Sequence, residues 1–310
     1  NILAEGMGAN VASAYLKKYQ EPRNFSSIDN YVLINSTAQG MSTIGALYTG
    51  EIDVDPNGVV RWINDQPDNV PVAFAFWLTN YILNKEWELY HACATIDAYL
   101  IHELDRLYDQ YARPILCYNA GLWALIPWTE DDETFDRAKE MMYTDSEGNE
   151  LHMNGTLENK IDAYHEVQRT AGATLQNAQK AGVKVAVVSG YNLQALPLYD
   201  GLDSNKGSSE TSDGIVDAKY SSFGATCAYL NDVWVGKPLP EQAIDDGHNH
   251  TDWQISDTYK IGVDASTCAL PENTWFIKGL KNDYLHSYSQ DSYYFVSWLI
   301  FSDEQRTVRD

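Results

Sequence analysis

The sequence predicts an α/β fold: a parallel sheet with helical crossovers and a large, mostly helical insertion between strands. Three observations carry this. A short apolar strand at the very start runs through a glycine-rich turn into a helix. A second apolar run follows at the spacing of one crossover. The clearest strand in the chain, Val183-Lys184-Val185-Ala186-Val187-Val188-Ser189-Gly190, comes only after a long stretch of helical periodicity.

The elements follow in order. Ile2 and Leu3 suit a strand, and Gly6, Gly8 and Ala9 leave room for a sharp turn and for close helix–sheet packing. Val11, Ala12, Tyr15 and Leu16 recur at helical spacing and predict the buried face of the first helix. Asn30-Tyr31-Val32-Leu33-Ile34-Asn35 reads as a buried strand, so strand, helix and strand form a βαβ unit and hence parallel pairing. From Gly45 to about Gly182 the character changes. Asp55-Pro56-Asn57-Gly58 predicts a turn, and Val70 to Tyr111 carries apolar residues at helical spacing. Pro114 and Pro127 bracket a short apolar stretch, Asp131 to Met142 reads as a charged helix, and Asn159 to Ala181 as another, stopped at Gly182. About 130 residues is too much for a plain crossover and predicts an inserted cap. Leu202 to Gly214 is loop-like, Thr274-Trp275-Phe276-Ile277 is the last strand, and Tyr293 to Phe301 a terminal helix. The expected organisation is therefore 1–44 and 183–310 as sheet core and 45–182 as cap.

Composition narrows the partners. The 21 basic and 44 acidic residues give a net charge of −23, which argues against a nucleic-acid backbone or an anionic membrane surface. No apolar run is long enough for a transmembrane segment. No signal peptide is read, but the first residues already lie in a strand, so an upstream part is expected. Cys93, Cys117, Cys227 and Cys268 lack metal-ligand spacing; Cys93 and Cys117 read as buried thiols, and a Cys227–Cys268 bridge is open. Acidic pI, aromatic content and that bridge lean toward an extracellular or envelope setting. His248-Asn249-His250 with Asp245, Asp246 and Asp252 is the one metal-like cluster, but it lacks a helix or strand frame and reads as a solvated loop; no metal and no cofactor are expected. His91, His102, His152 and His165 read as helix-surface residues.

Ala4-Glu5-Gly6-Met7-Gly8 has the form of a nucleophile elbow, Gly-x-Ser-x-Gly, with Ala for the first glycine and Gly6 for the serine. A phosphate-binding loop is the other reading of such a turn, but the lysine and remaining glycines of a P-loop are absent. The order of elbow, helix, strand, helical insertion, strand, acidic loop, strand and helix resembles the C-terminal part of an α/β-hydrolase. More narrowly, it is similar to the lipase and lecithin–cholesterol acyltransferase-like branch. The elbow, Tyr31-Val32-Leu33-Ile34-Asn35-Ser36, Ser212-Asp213-Gly214-Ile215-Val216 and Thr274-Trp275-Phe276-Ile277-Lys278-Gly279 carry the resemblance.

The resemblance implies a partial α/β-hydrolase fold and a triad of Ser, acid and His. The nucleophile falls on Gly6, which has no side chain to attack with; Ser13, two helical turns on, is a packing or surface residue. The acid falls on Asp213, with Asp217 as runner-up. The base position falls on Asn282, with His286 as a possible substitute four residues on. The Met7 backbone N–H would be one oxyanion donor. The expected activity is acyl-ester hydrolysis or acyl transfer on a small-molecule ester or lipid, inactive as written because of Gly6. The alternative is a non-catalytic lipid- or ester-binding protein on the same scaffold.

Overall fold

The computed structural model describes residues 1–49, 113–128, 133–144, 148–149, 151–191, 193–194, 211–227, 263–278 and 290–310. Within them, β1 (Ile2–Glu5), β2 (Asn30–Ile34), β3 (Lys184–Tyr191) and β8 (Thr274–Lys278) form one sheet in the order β1-β2-β3-β8. Every pairing is parallel, with Ile2 opposite Tyr31, Tyr31 opposite Val185 and Val188 opposite Trp275. The α/β class and parallel sheet expected from sequence are thus present. Two small antiparallel ribbons stand beside the sheet: β4 (Leu193–Gln194) with β5 (Thr211–Ser212), and β6 (Thr226–Cys227) with β7 (Val263–Asp264).

The helices described are α1 (Gly8–Lys18), α2 (Pro22–Phe25), α3 (Ser42–Tyr48), α4 (Arg113–Tyr118), α5 (Ala120–Trp123), α6 (Thr134–Met142), α7 (Gly155–Lys180), α8 (Ala218–Ser221) and α9 (Gln290–Ile300). Alternation along the strands sends neighbouring side chains to opposite faces. Tyr31, Leu33, Val185 and Val187 pack with Ala9 and Leu16 of α1 and Ala171, Leu175 and Ala178 of α7. Val32, Ile34, Ala186, Val188 and Trp275 pack with Val296, Leu299 and Ile300 of α9. The result is three layers, with helices covering both faces.

The 26 residues of α7 join two cores. Its C-terminal half covers the sheet, while Leu157 and Ile161 near its start join Trp123, Ile126, Ala138 and Met142 of a separate helical cluster. Asn154 caps the helix by accepting from the Thr156 N–H at 2.9 Å. Gly182, at φ +100, ends it where Ala178 still accepts from the Val183 N–H. Most of the expected cap, including the 70–111 helical stretch and the turn at 55–58, lies outside the described residues.

Two sequence expectations need correction. The core face of α1 is Ala9, Asn10, Ser13 and Leu16, whereas Val11 and Tyr15 are exposed. Periodicity misplaced the face because the outer side is also apolar: Met7, Val11 and Tyr15 are exposed, as is Leu3 of β1, which among the described residues pairs with β2 alone. His165 is not a surface residue but is buried.

The segment 124–128 comes close to the turn after β2. A Cβ on Gly40, which sits at φ +96, would stand 2.7 Å from Pro127 N and 2.9 Å from the Leu125 carbonyl. Gly8, by contrast, has nothing within 4 Å of a Cβ position. Gly40→Ala is therefore expected to lose at least about 2 kcal/mol of stability. Gly8→Ala is expected to stay within about 0.5 kcal/mol of the parent or exceed it. Urea unfolding of the two variants side by side checks this.

Candidate functional site at the carboxyl edge of the sheet

In a parallel sheet all strands end on one edge, and the loops that leave it gather there. Polar residues crowd that edge. Asn35, Ser36, Thr37, Ser189, Ser212, Asp213, Asp217 and Ser221 are all essentially inaccessible. Asn35, Ser36 and Thr37 follow β2, Ser189 lies near the end of β3, and the other four fall between β5 and the end of α8.

Gly6 occupies the bend between β1 and α1, buried and at φ +48, in the left-handed region. Its N–H donates to the Ile34 carbonyl at 3.0 Å. Its carbonyl accepts from the Ala9 N–H at 3.1 Å and the Thr37 N–H at 3.3 Å. The Thr37 hydroxyl donates to Asn10 Oδ1 at 2.5 Å, so α1 and the exit of β2 are fastened to the same bend. Met7 is the N-cap of α1 with its side chain exposed, and among the described residues no group accepts from its backbone N–H. Ser13 lies on the buried side of α1 against the Tyr31 hydroxyl, away from the bend's outer side.

Asn35 stands at the end of β2 at φ +43, a conformation Asn tolerates better than other side chains. It donates its N–H to the Val188 carbonyl and accepts from the Gly190 N–H through Oδ1, both at 2.8 Å. This clamps the carboxyl ends of β2 and β3. On the other side of β3, Ser189 Oγ and Ser221 Oγ approach to 2.6 Å and tie α8 to the strand.

Asp213 lies in the loop that the β4–β5 ribbon returns to the end of β3. Its Oδ1 accepts from the N–H groups of Ile215 at 2.7 Å and Val216 at 2.6 Å. Asp217, four residues on, accepts from the Ser42 N–H at 2.8 Å and the Ser42 hydroxyl at 2.7 Å. Asp217 therefore joins the start of α3 to the start of α8. Gly6 and the end of β3 are two strand spacings apart, roughly 10 Å, with the 35–42 segment between them bonded to both sides. Asn282 and His286 lie outside the described residues, as does the 245–252 histidine and aspartate cluster. Among the described residues no group of three or more His, Cys, Asp or Glu is placed to hold a metal ion.

Sequence reading had no hold on Asn35, Ser42, Ser189 or Ser221 as parts of one site. A polar residue closing an apolar strand run is the signal that marks two of them.

Comparison of the chain with models of known protein families, with curated proteins and with solved structures gives no match. The class the fold defines is that of a parallel α/β protein with a buried polar carboxyl edge. Among the described residues no helix is long and apolar enough to cross a membrane.

Asp217 and Ser42 provide a direct check of how this edge is held. Asp217→Ala removes a buried carboxylate that accepts from the part-buried N–H and hydroxyl of Ser42 and is expected to cost about 3 kcal/mol, whereas Ser42→Ala keeps the N–H bond and costs about 1 kcal/mol. Chemical denaturation of both variants measures the difference.

Proposed function

We propose that this chain uses the C-terminal part of an α/β-hydrolase-type scaffold of the lipase and lecithin–cholesterol acyltransferase-like branch. As it stands, it holds an acyl ester or lipid without cleaving it. The observation that carries this is the bend at Gly6. It joins a sheet strand to the helix that packs on that sheet, it adopts positive φ, and its amide is bonded into the neighbouring strand. A nucleophile elbow demands this backbone, with a serine at the bend. The strand order β1-β2-β3-β8, with the Asp213 loop after β3 and a helix after β8, supports the same reading.

The chemistry follows from the residues. Gly6 supplies no oxygen to form an acyl-enzyme, so the covalent step of a serine esterase has no starting point. What remains is the backbone N–H of Met7 at the start of α1, proposed to bind a carbonyl or carboxylate oxygen, and a buried acid at Asp213. His286 is the proposed base, or Asn282 marks where the base has been lost.

Restoring the hydroxyl tests the reading. A serine at φ +48 costs about 1–2 kcal/mol, so the fold is checked first by circular dichroism. The parent is expected to bind a fluorescent fatty-acyl ester without turnover and to remain unlabelled by a fluorophosphonate. Gly6→Ser is expected to gain one adduct, mapped to position 6 by mass spectrometry. Adding Asp213→Asn is expected to slow that labelling by at least about 100-fold. A folded variant carrying both Gly6→Ser and Asn282→His that stays unlabelled would remove the esterase ancestry, and a parent that ignores acyl ligands would remove the binding role.

A further inference from the structure

His165 sits where the helical cluster meets α7, and its environment is made for a neutral ring. The imidazole is 6% exposed. Trp128 stacks on it with centroids 5.4 Å apart and planes at 12°. Phe135 of α6 meets it edge-on at 4.3 Å and 85°. Its Nε2 is buried and has no hydrogen-bond partner among the described residues. One turn along α7, Gln168 makes the rest of the joint: its amide donates to the carbonyls of Ala124 at 2.9 Å and Ile126 at 3.0 Å, and its oxygen accepts from the Trp128 N–H at 2.9 Å. The segment held in this way is part of the wall of the carboxyl edge. Leu125 accepts from the Met41 N–H at 2.8 Å and packs with Met41 and Val216, beside Asp213.

We propose that His165 is an acid-sensitive latch, and that its protonation releases residues 124–128 and α6 from α7 while the sheet stays folded, uncovering the carboxyl edge. A second proton would place a charge between two aromatic rings and bring another N–H into a site with an already unpartnered nitrogen. The charged groups that face it do not offset this. Asp162 on α7 and Asp136 on α6 favour the cation, but both are exposed to solvent. Arg169, four residues on, is paired with Glu166, and the described part of 124–128 contributes no charge. Burial outweighs the two aspartates and lowers the His165 pKa from 6.5 to about 4.

The sign follows from linkage. The folded state binds this proton less readily than the unfolded or opened state. The closed joint is therefore fully favoured above pH 6.5 and is progressively lost as the pH falls toward 4. The latch is a property of this joint alone and is independent of the ester-directed reading.

Hydrogen exchange followed by mass spectrometry, corrected for intrinsic rates, reads the outcome. Between pH 7 and pH 4.5 the amides of 124–128 and 134–142 are expected to lose at least tenfold in protection, while those of β2 and β3 keep theirs. His165→Phe, which retains an aromatic ring between Trp128 and Phe135, is expected to abolish that loss. Unchanged protection in the parent overturns the proposal, and so does an equal loss in the variant. Should His165→Phe fail to protect β2 and β3 at pH 7, an NMR titration of the parent's imidazole decides instead. A His165 pKa well below 6.5 supports the latch, and a value at or above 6.5 overturns it.

Discussion

The arrangement depends on how Gly6 is bonded. Its N–H is spent on the last carbonyl of β2 and its carbonyl on the N–H of Thr37 just beyond. A residue held at both its amide and its carbonyl by the next strand cannot relax its dihedrals independently of that strand. The bend, the start of α1 and the exit of β2 are therefore one unit, and the Asn10–Thr37 bond closes it from the helix side. Asn35 repeats the device one strand over, again with positive φ and again bonded to its neighbour. Two left-handed residues in adjacent strand ends turn the chain sharply enough to leave the edge open to loops arriving from far along the sequence.

Those loops bring two carboxylates into a chain already carrying −23. Neither Asp213 nor Asp217 has any solvent exposure. The donors placed around them include backbone N–H groups and a hydroxyl. Burying such groups is costly unless hydrogen bonds replace their water. Asp213 draws on the amides of its own loop, which shapes that loop; Asp217 draws on Ser42, which shapes the junction between distant segments. The two acids thus differ in kind. Asp217 is committed to holding α3 in place, and Asp213 is positioned by the amides of its own loop.

Much of the frame was legible because it is written locally. The runs at 30–34 and 184–191 are apolar on both faces, as strands covered on two sides must be, and Gly182 marks the stop of α7 by its left-handed conformation. The site was less legible because its bonds join residues far apart: Ser42 to Asp217 spans 175 positions and Asn35 to Gly190 spans 155. No short window contains such a pair. The α1 face and His165 were misread for a related reason. A hydrophobic stripe reports that a face is apolar, not which neighbour covers it, and a lone histidine on a helix carries no trace of the Trp128 and Phe135 that enclose it.

Position and chemistry separate at residue 6. A serine in a strained bend pays for its conformation, because its Cβ is disfavoured at positive φ. Glycine holds the same bend without that strain. Exchanging one for the other would preserve every backbone contact described here, including the Met7 N–H at the helix start, and remove only the hydroxyl. The acid loop gives no comparable discrimination, since Asp213 satisfies the loop's own amides whether or not any base stands nearby. On the proposed reading, the backbone of the edge would still recognise a ligand oxygen, whereas bond cleavage would need the hydroxyl that glycine lacks.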